Sequence, residues 1–183
     1  MVIPFEVRAL IGTARRKPWH FIATGVAAAI AIWAAVTWRA PAPVPDITVV
    51  SIQGEKIALG ALRGRVLLVN FWATDCTVCL KEMPAMVQTW RSFHARGFEA
   101  VFIAMPYDRP DRVVHYARSA ELPFAVALDV QGEAARAFGG IRGTPTTFLI
   151  DKRGRIVERI LGEPDFGRLN ATIERSLAEA ASG

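Results

Sequence analysis

The sequence predicts an α/β domain in which a central mixed sheet is flanked by helices, and which closes on a β-hairpin and one last helix. Three observations carry this. Val66-Leu-Leu-Val-Asn-Phe-Trp72 is a nearly continuous apolar run of strand length, as a central strand buried on both faces requires. Stretches of strand character then alternate with stretches of helical spacing. Finally, two short apolar segments are joined by Lys152-Arg153-Gly154, a turn-forming connection.

Taken in order, residues 47–51 and 56–59, joined by Gln53-Gly54-Glu55, read as a small N-terminal β-hairpin. The central strand follows Arg63-Gly64-Arg65. Residues 77–95 place Leu80, Met83, Val87, Trp90 and Phe93 at helical spacing, so a long helix follows the strand directly. Another apolar strand spans 98–105. Residues 111–120, introduced by Asp108-Arg109-Pro110, predict a helix, 124–128 a short strand, and 133–138 a short helix stopped by Gly139-Gly140. The closing hairpin pairs 146–151 with 155–161, and Asp165 can cap a helix running to about residue 180.

At 183 residues there is room for one ordinary domain and an appendage. Residues 21–38 contain no charge and span about 27 Å as a helix, close to a bilayer core. The segment has no polar face, which argues against a buried helix of a soluble body. Trp19, Trp33 and Trp38 suit interfacial positions, and Arg8, Arg15, Arg16 and Lys17 crowd on the N-terminal side, with Arg39 just after. The expected organisation is a basic cytoplasmic tail over 1–20, a transmembrane anchor over 21–38, a stiff Pro/Ala linker over 39–46, and an exported folded domain over 47–183. A cleaved signal peptide is the rival, since Ala40-Pro41-Ala42 has the A-x-A form; Pro43 after the cut disfavours it.

The net charge of +5 sits mostly in that tail: residues 1–39 carry five Lys/Arg against Glu6, leaving 17 basic and 16 acidic side chains in the rest. No basic stripe is interleaved with aromatics, so no nucleic-acid partner is expected.

The two cysteines, Cys76 and Cys79, fall where the buried strand gives way to the helix. The helix N-terminus favours the thiolate at Cys76, and Cys79 lies one turn on, within disulfide range. Such a pair can attack a substrate disulfide, form a mixed disulfide and resolve it, supplying two electrons without a bound cofactor. A purely structural disulfide closing so short a loop stabilises little. Zinc wants four ligands, and His20, His94 and His115 do not complete a set; His94 and His115 read as exposed helix residues. Copper(I) on two thiolates remains an alternative.

The stretch GTPTTFLID, 143–151, puts Pro145 just before a strand, where a cis peptide is tolerated. Together, NFWATDCTVCLKEMP and GTPTTFLIDKRGRI resemble the thioredoxin-like family, and within it the membrane-anchored TlpA/ResA-type thiol-disulfide oxidoreductases, over roughly residues 45–180. The resemblance implies a thioredoxin-like fold with an N-terminal hairpin and a central insertion between 106 and 131. It implies that Cys76 attacks and Cys79 resolves, and that Thr144 and Pro145 form a cis-proline loop pairing with the substrate chain. Trp72 would flank the site or serve as a core aromatic. Glu82 falls where relatives often carry a glutamate that affects thiol ionisation; taken alone it reads equally well as an exposed helix residue. Pro84 would kink the helix.

Three positions depart from the pattern. Asn70 stands where thioredoxins bury an Asp, so that proton route is absent or passes to Glu82. Asp75 replaces an aromatic and opposes ionisation of Cys76. Val78 replaces a common proline. The implied activity is protein disulfide reduction on the periplasmic side of a bacterial inner membrane, with electrons from a membrane thiol donor, for disulfide-containing envelope proteins such as apocytochromes c or copper-site proteins. The alternatives are a Cu(I)-delivery module, a disulfide-forming oxidant, and an adaptor with a vestigial site.

Overall fold

The structure, a computed structural model, describes residues 41–180 together with Gly25, Val26 and Trp33. The basic tail over 1–20 and, apart from those three helical, exposed residues, the anchor expected over 21–38 lie outside the described residues. No helix among the described residues is long and apolar enough to cross a membrane. The chain divides into two compact units, Met1–Ala40 and Pro41–Gly183, and the second contains every strand among the described residues.

Strands β1 (Thr48–Val50) and β2 (Lys56–Ala58) form an antiparallel hairpin. Strands β3 (Val66–Trp72), β4 (Phe98–Ala104), β5 (Ala125–Leu128), β6 (Thr146–Ile150) and β7 (Ile156–Leu161) form a mixed sheet in the order β5-β4-β3-β6-β7. The first three run parallel, while β6 and β7 are antiparallel additions. Helices α1 (Thr77–Phe93), α2 (Pro110–Ser119), α3 (Glu133–Ala137) and α4 (Phe166–Ala178) cover its faces. The segment between 106 and 131 builds α2 and the edge strand β5.

All seven residues of β3 are buried, because each face of this strand meets a separate core. Val66, Leu68 and Trp72 pack with Met83 and Met86 of α1, Val113 of α2 and Leu169 and Ile173 of α4. Leu67, Val69 and Phe71 turn to the opposite core with Val49, Leu59 and Ala134. Phe71 meets Phe138 and Phe148 edge-on, with centroids 5.3 and 6.0 Å away. Burying each such ring contributes about 1.5–3 kcal/mol. The one polar residue of the strand, Asn70, is also fully buried and, by alternation, faces α1.

One boundary and one helix face differ from the sequence expectation. Residues 42–46 are not a free spacer. The Ile156 N–H donates to the Ala42 carbonyl and the Val44 N–H to the Gly154 carbonyl, both at 2.7 Å, and Val44 is buried in the β1-side core. These bonds flank the Pro43–Arg155 bridge, so the N–H that proline lacks falls where no ladder bond is needed. The folded body therefore begins by residue 42 rather than 47. The buried face of α1 also differs from the apolar stripe: Cys79, Glu82, Met83, Met86, Thr89 and Phe93 are buried, and Leu80, Val87 and Trp90 flank them half-buried. Trp90 turns outward to donate to Glu99 Oε1 at 3.2 Å and to stack on His94, which is therefore half-buried rather than exposed. The helix runs through Pro84 to Phe93.

Candidate active site

The four residues between β3 and α1 set the site. The backbone of Cys76 is extended, and its sulfur accepts the Cys79 N–H at 3.2 Å, so Cys76 is the N-cap of α1. The Cys76 and Cys79 sulfurs are bonded to each other, with Cα atoms 5.3 Å apart. Cys76 is half-exposed and Cys79 is buried. A partner therefore reaches Cys76 first, at the end of a helix whose free N–H groups favour a thiolate once the bond opens.

The antiparallel register pairs Phe71 with Thr146, which brings the loop before β6 to the same end of the sheet as the dithiol turn. The Thr144–Pro145 peptide in that loop is cis. Pro145 is buried and Thr144 half-exposed. The loop is held by Thr146 Oγ1 donating to the Gly143 carbonyl (2.6 Å) and the Gly162 N–H donating to the Pro145 carbonyl (2.8 Å). Leu161, 70% exposed, leans over it, since a Cβ on Gly143 would lie 3.7 Å from Leu161 Cδ1. With exposed Val78, it gives the site apolar surface that no periodicity in the sequence signals.

Trp72 is fully buried in the cluster that contains Cys79 and against which Cys76 packs, and its ring lies 5.5 Å from that of Tyr116. It is thus a core aromatic that also backs the disulfide. Behind the pair lies a buried polar trio. Asn70 Nδ2 donates to Thr147 Oγ1 of the adjoining strand at 2.9 Å and to Glu82 Oε1 at 3.4 Å. Glu82 is 2% exposed, so the reading of an exposed helix residue is corrected. Its carboxyl is pushed up to about 8, chiefly by burial; the Asn70 hydrogen bond works against this and the Glu163 charge adds to it. Glu163 is itself paired with Lys81 at 3.1 Å. Glu82 Oε2 and Asn70 Oδ1 have no partner among the described residues. A proton on Glu82 makes one of these two acceptors a donor.

A second carboxylate fixes the turn from outside. Asp108, after β4, accepts the Thr74 N–H through Oδ2 and the Thr74 hydroxyl through Oδ1, both at 2.6 Å. The sequence marks Asp108 only as the approach to α2; its partner lies on another loop. Among the described residues no three His, Cys, Asp or Glu side chains converge as metal ligands. The two sulfurs are the soft donors of the site.

A cysteine pair spanning the first turn of a helix, fed by the central strand of a mixed sheet and faced by a cis-proline loop, defines a thiol-disulfide oxidoreductase of thioredoxin fold. The AhpC/TSA family model matches residues 41–159. Thiol-disulfide oxidoreductase ResA of Bacillus thuringiensis subsp. konkukian (strain 97-27) is 38% identical over 120 residues, covering 65% of this chain and 68% of that protein. ResA of Bacillus anthracis is 36% identical over 132 residues, covering 72% and 75%. Among solved structures, a thiol:disulfide interchange protein of the thioredoxin family from Chlorobium tepidum TLS superposes with a TM-score of 0.69 at 31% identity, over 75% of this chain and 97% of that one. A putative thioredoxin from Neisseria meningitidis gives 0.69 at 32% identity, over 74% and 90%. The chain belongs to the AhpC/TSA family, thioredoxin-like proteins, and is a homologue of the ResA-type thiol-disulfide oxidoreductases.

Proposed function

We propose that this oxidoreductase runs as a reductant of specific protein disulfides, tethered by residues 21–38 to a bacterial inner membrane with its folded domain in the periplasm. The observation that carries the proton route is Glu82, buried one helical turn from Cys79 and neutral below pH about 8 while the cysteines are oxidised. In the reduced protein, the Cys76 thiolate attacks a substrate disulfide and expels one substrate thiolate. Cys79 then needs to lose its proton. The fraction of Glu82 that is ionised near neutral pH accepts it, Cys79 attacks Cys76 in the mixed disulfide, and the second substrate thiolate leaves. Two electrons have passed to the substrate, and the oxidised state described above, with a protonated Glu82, is the product.

The loop at Thr144 and Pro145 offers backbone to an extended substrate segment, and Leu161 and Val78 supply apolar contacts beside it. The exported space is oxidising, so re-reduction requires a thiol donor in the membrane. Suitable acceptors are envelope proteins whose cysteines must be reduced before a haem or copper is loaded. The test is the reduction potential, titrated against glutathione or dithiothreitol. A value below about −220 mV supports a reductant, and a value near −120 mV reverses the direction and makes the protein an oxidant.

A further inference from the structure

A cleft of about 540 Å3 opens between β1 and the segment after β5, outside the dithiol machinery. Its walls are two strand edges that begin to pair and then part. In the β1–β2 hairpin, the Leu59 N–H donates to the Ile47 carbonyl and the Ser51 N–H to the Glu55 carbonyl, so 47, 49 and 51 point at β2. Thr48 and Val50 therefore turn their N–H and C=O groups to the other edge. Just beyond, that edge joins β5, with the Ile52 N–H donating to the Val126 carbonyl at 2.8 Å and Ser51 bridging Ala127. On the β5 side, the Asp129 N–H donates to the Ala104 carbonyl, so Leu128, like Val126, faces β1. The Ser51–Ala127 bridge also sets the Leu128 N–H on the Val50 carbonyl, and beyond it the Val50 N–H and the backbone of Thr48 open on the cleft.

The side chains give this opening a character. Val50 is 46% and Val130 61% exposed at its rim. The lining carries Asp46, Asp129 and Glu133 and no Lys, Arg or His, in a body with 17 basic side chains. Asp129 spends both oxygens on the Ala134 and Ala135 N–H groups, which leaves Asp46 and Glu133 to face an occupant. Arg136 borders the cleft, bonded to the Gln131 carbonyl at 2.8 Å.

We infer that the cleft is a docking site for an extended segment of a partner protein with alternating basic and apolar residues, added as a strand to the β1 edge. Main-chain bonds to Thr48 and to the Val50 N–H supply affinity, Val50 and Val130 take apolar side chains, and Asp46 and Glu133 select cations. The inference holds for either direction of electron flow at the dithiol.

The test uses the full-length oxidised chain in mild detergent, with labelled acetyl-Lys-Val-Lys-Val-Lys-Val-amide as probe and the Glu-Val counterpart as control. Saturable binding of the Lys-Val peptide is expected, at least tenfold weaker for Glu-Val, with slowed amide exchange over 48–52 and 128–131. Val50→Pro deletes an open-edge N–H while sparing the β1–β2 bonds, and should weaken binding at least tenfold. Should it disturb the hairpin, Glu133→Lys on the exposed start of α3 is the second variant; it should weaken Lys-Val binding and strengthen Glu-Val binding. Both variants should keep the wild-type rate of disulfide exchange. Equal affinity for the two peptides, protection elsewhere, or full affinity in both variants overturns the inference. A tenfold gain on deleting residues 1–20 assigns the cleft to the chain's own basic tail, and dimerisation competed by the peptide assigns it to a second copy. Either result overturns the partner-protein assignment.

Discussion

Glu82 is the residue on which stability and chemistry pull in opposite directions. Its carboxyl sits at about 8 in the fold against 4.5 when unperturbed. Below pH 4.5 both folded and unfolded chains hold the proton, and the carboxyl contributes no pH dependence. Between 4.5 and 8 the unfolded chain releases its proton while the folded one keeps it, so stability falls as pH rises through this window and levels off above 8. A shift of this size corresponds to about 5 kcal/mol at most. Glu82→Gln mimics the neutral acid. The urea midpoints of wild type and variant should lie close together at pH 5, with the variant the more stable at pH 8; equal midpoints at both values would sink the account. The same variant cannot take the Cys79 proton, and resolution of the mixed disulfide should slow about a hundredfold, read as accumulation of the mixed disulfide in a quench experiment.

At the scale of elements, the dithiol turn is held by the loops around it as much as by α1. Asp108 ties the loop after β4 to the loop after β3 through two 2.6 Å hydrogen bonds to Thr74. Hydrogen bonds to a charged group contribute about 1.5–3 kcal/mol each. Asp108→Ala should therefore lower stability by about 3–6 kcal/mol and Thr74→Val by about 1.5–3 kcal/mol, with the double variant no worse than Asp108→Ala alone. Denaturant midpoints at constant m-value check this, and additive losses would mean that the two residues act separately. This clamp also shows where sequence reading stops. The run Val66–Trp72, the closing hairpin and the Asp165 cap, whose side chain accepts the Arg168 N–H, were legible because each rests on local pattern. Asn70 with Thr147, 77 positions apart, and Thr74 with Asp108, 34 apart, meet only through strand register and loop packing. The burial of Glu82 was equally illegible, since the apolar spacing of Leu80, Val87 and Trp90 points to a face rotated from the one α1 buries.

Across the whole molecule, the chain entry and the disulfide lie at opposite ends of the central strand. Residues 42–44 bond to β7 and Gly154, beside the start of β3, whereas Cys76 follows its end; a seven-residue strand spans about 20 Å. Among the described residues, both apolar cores are built from the segment between Val44 and Leu177. The fragment 41–183, which holds both, should fold alone with an unchanged denaturant midpoint. Its reduction potential should match that of the full chain within about 10 mV, a factor of about two in equilibrium constant. The two forms should differ only where confinement matters. In vesicles, the full chain should sediment with lipid and the fragment should remain in solution. With Cys79→Ala in both, the resolving thiol is gone and mixed disulfides at Cys76 persist. The full chain should then trap partners enriched in membrane proteins, and the fragment should lose the membrane donor while still trapping soluble acceptors. Identical trapped sets from the two forms would remove the role of the tether while leaving the dithiol chemistry intact.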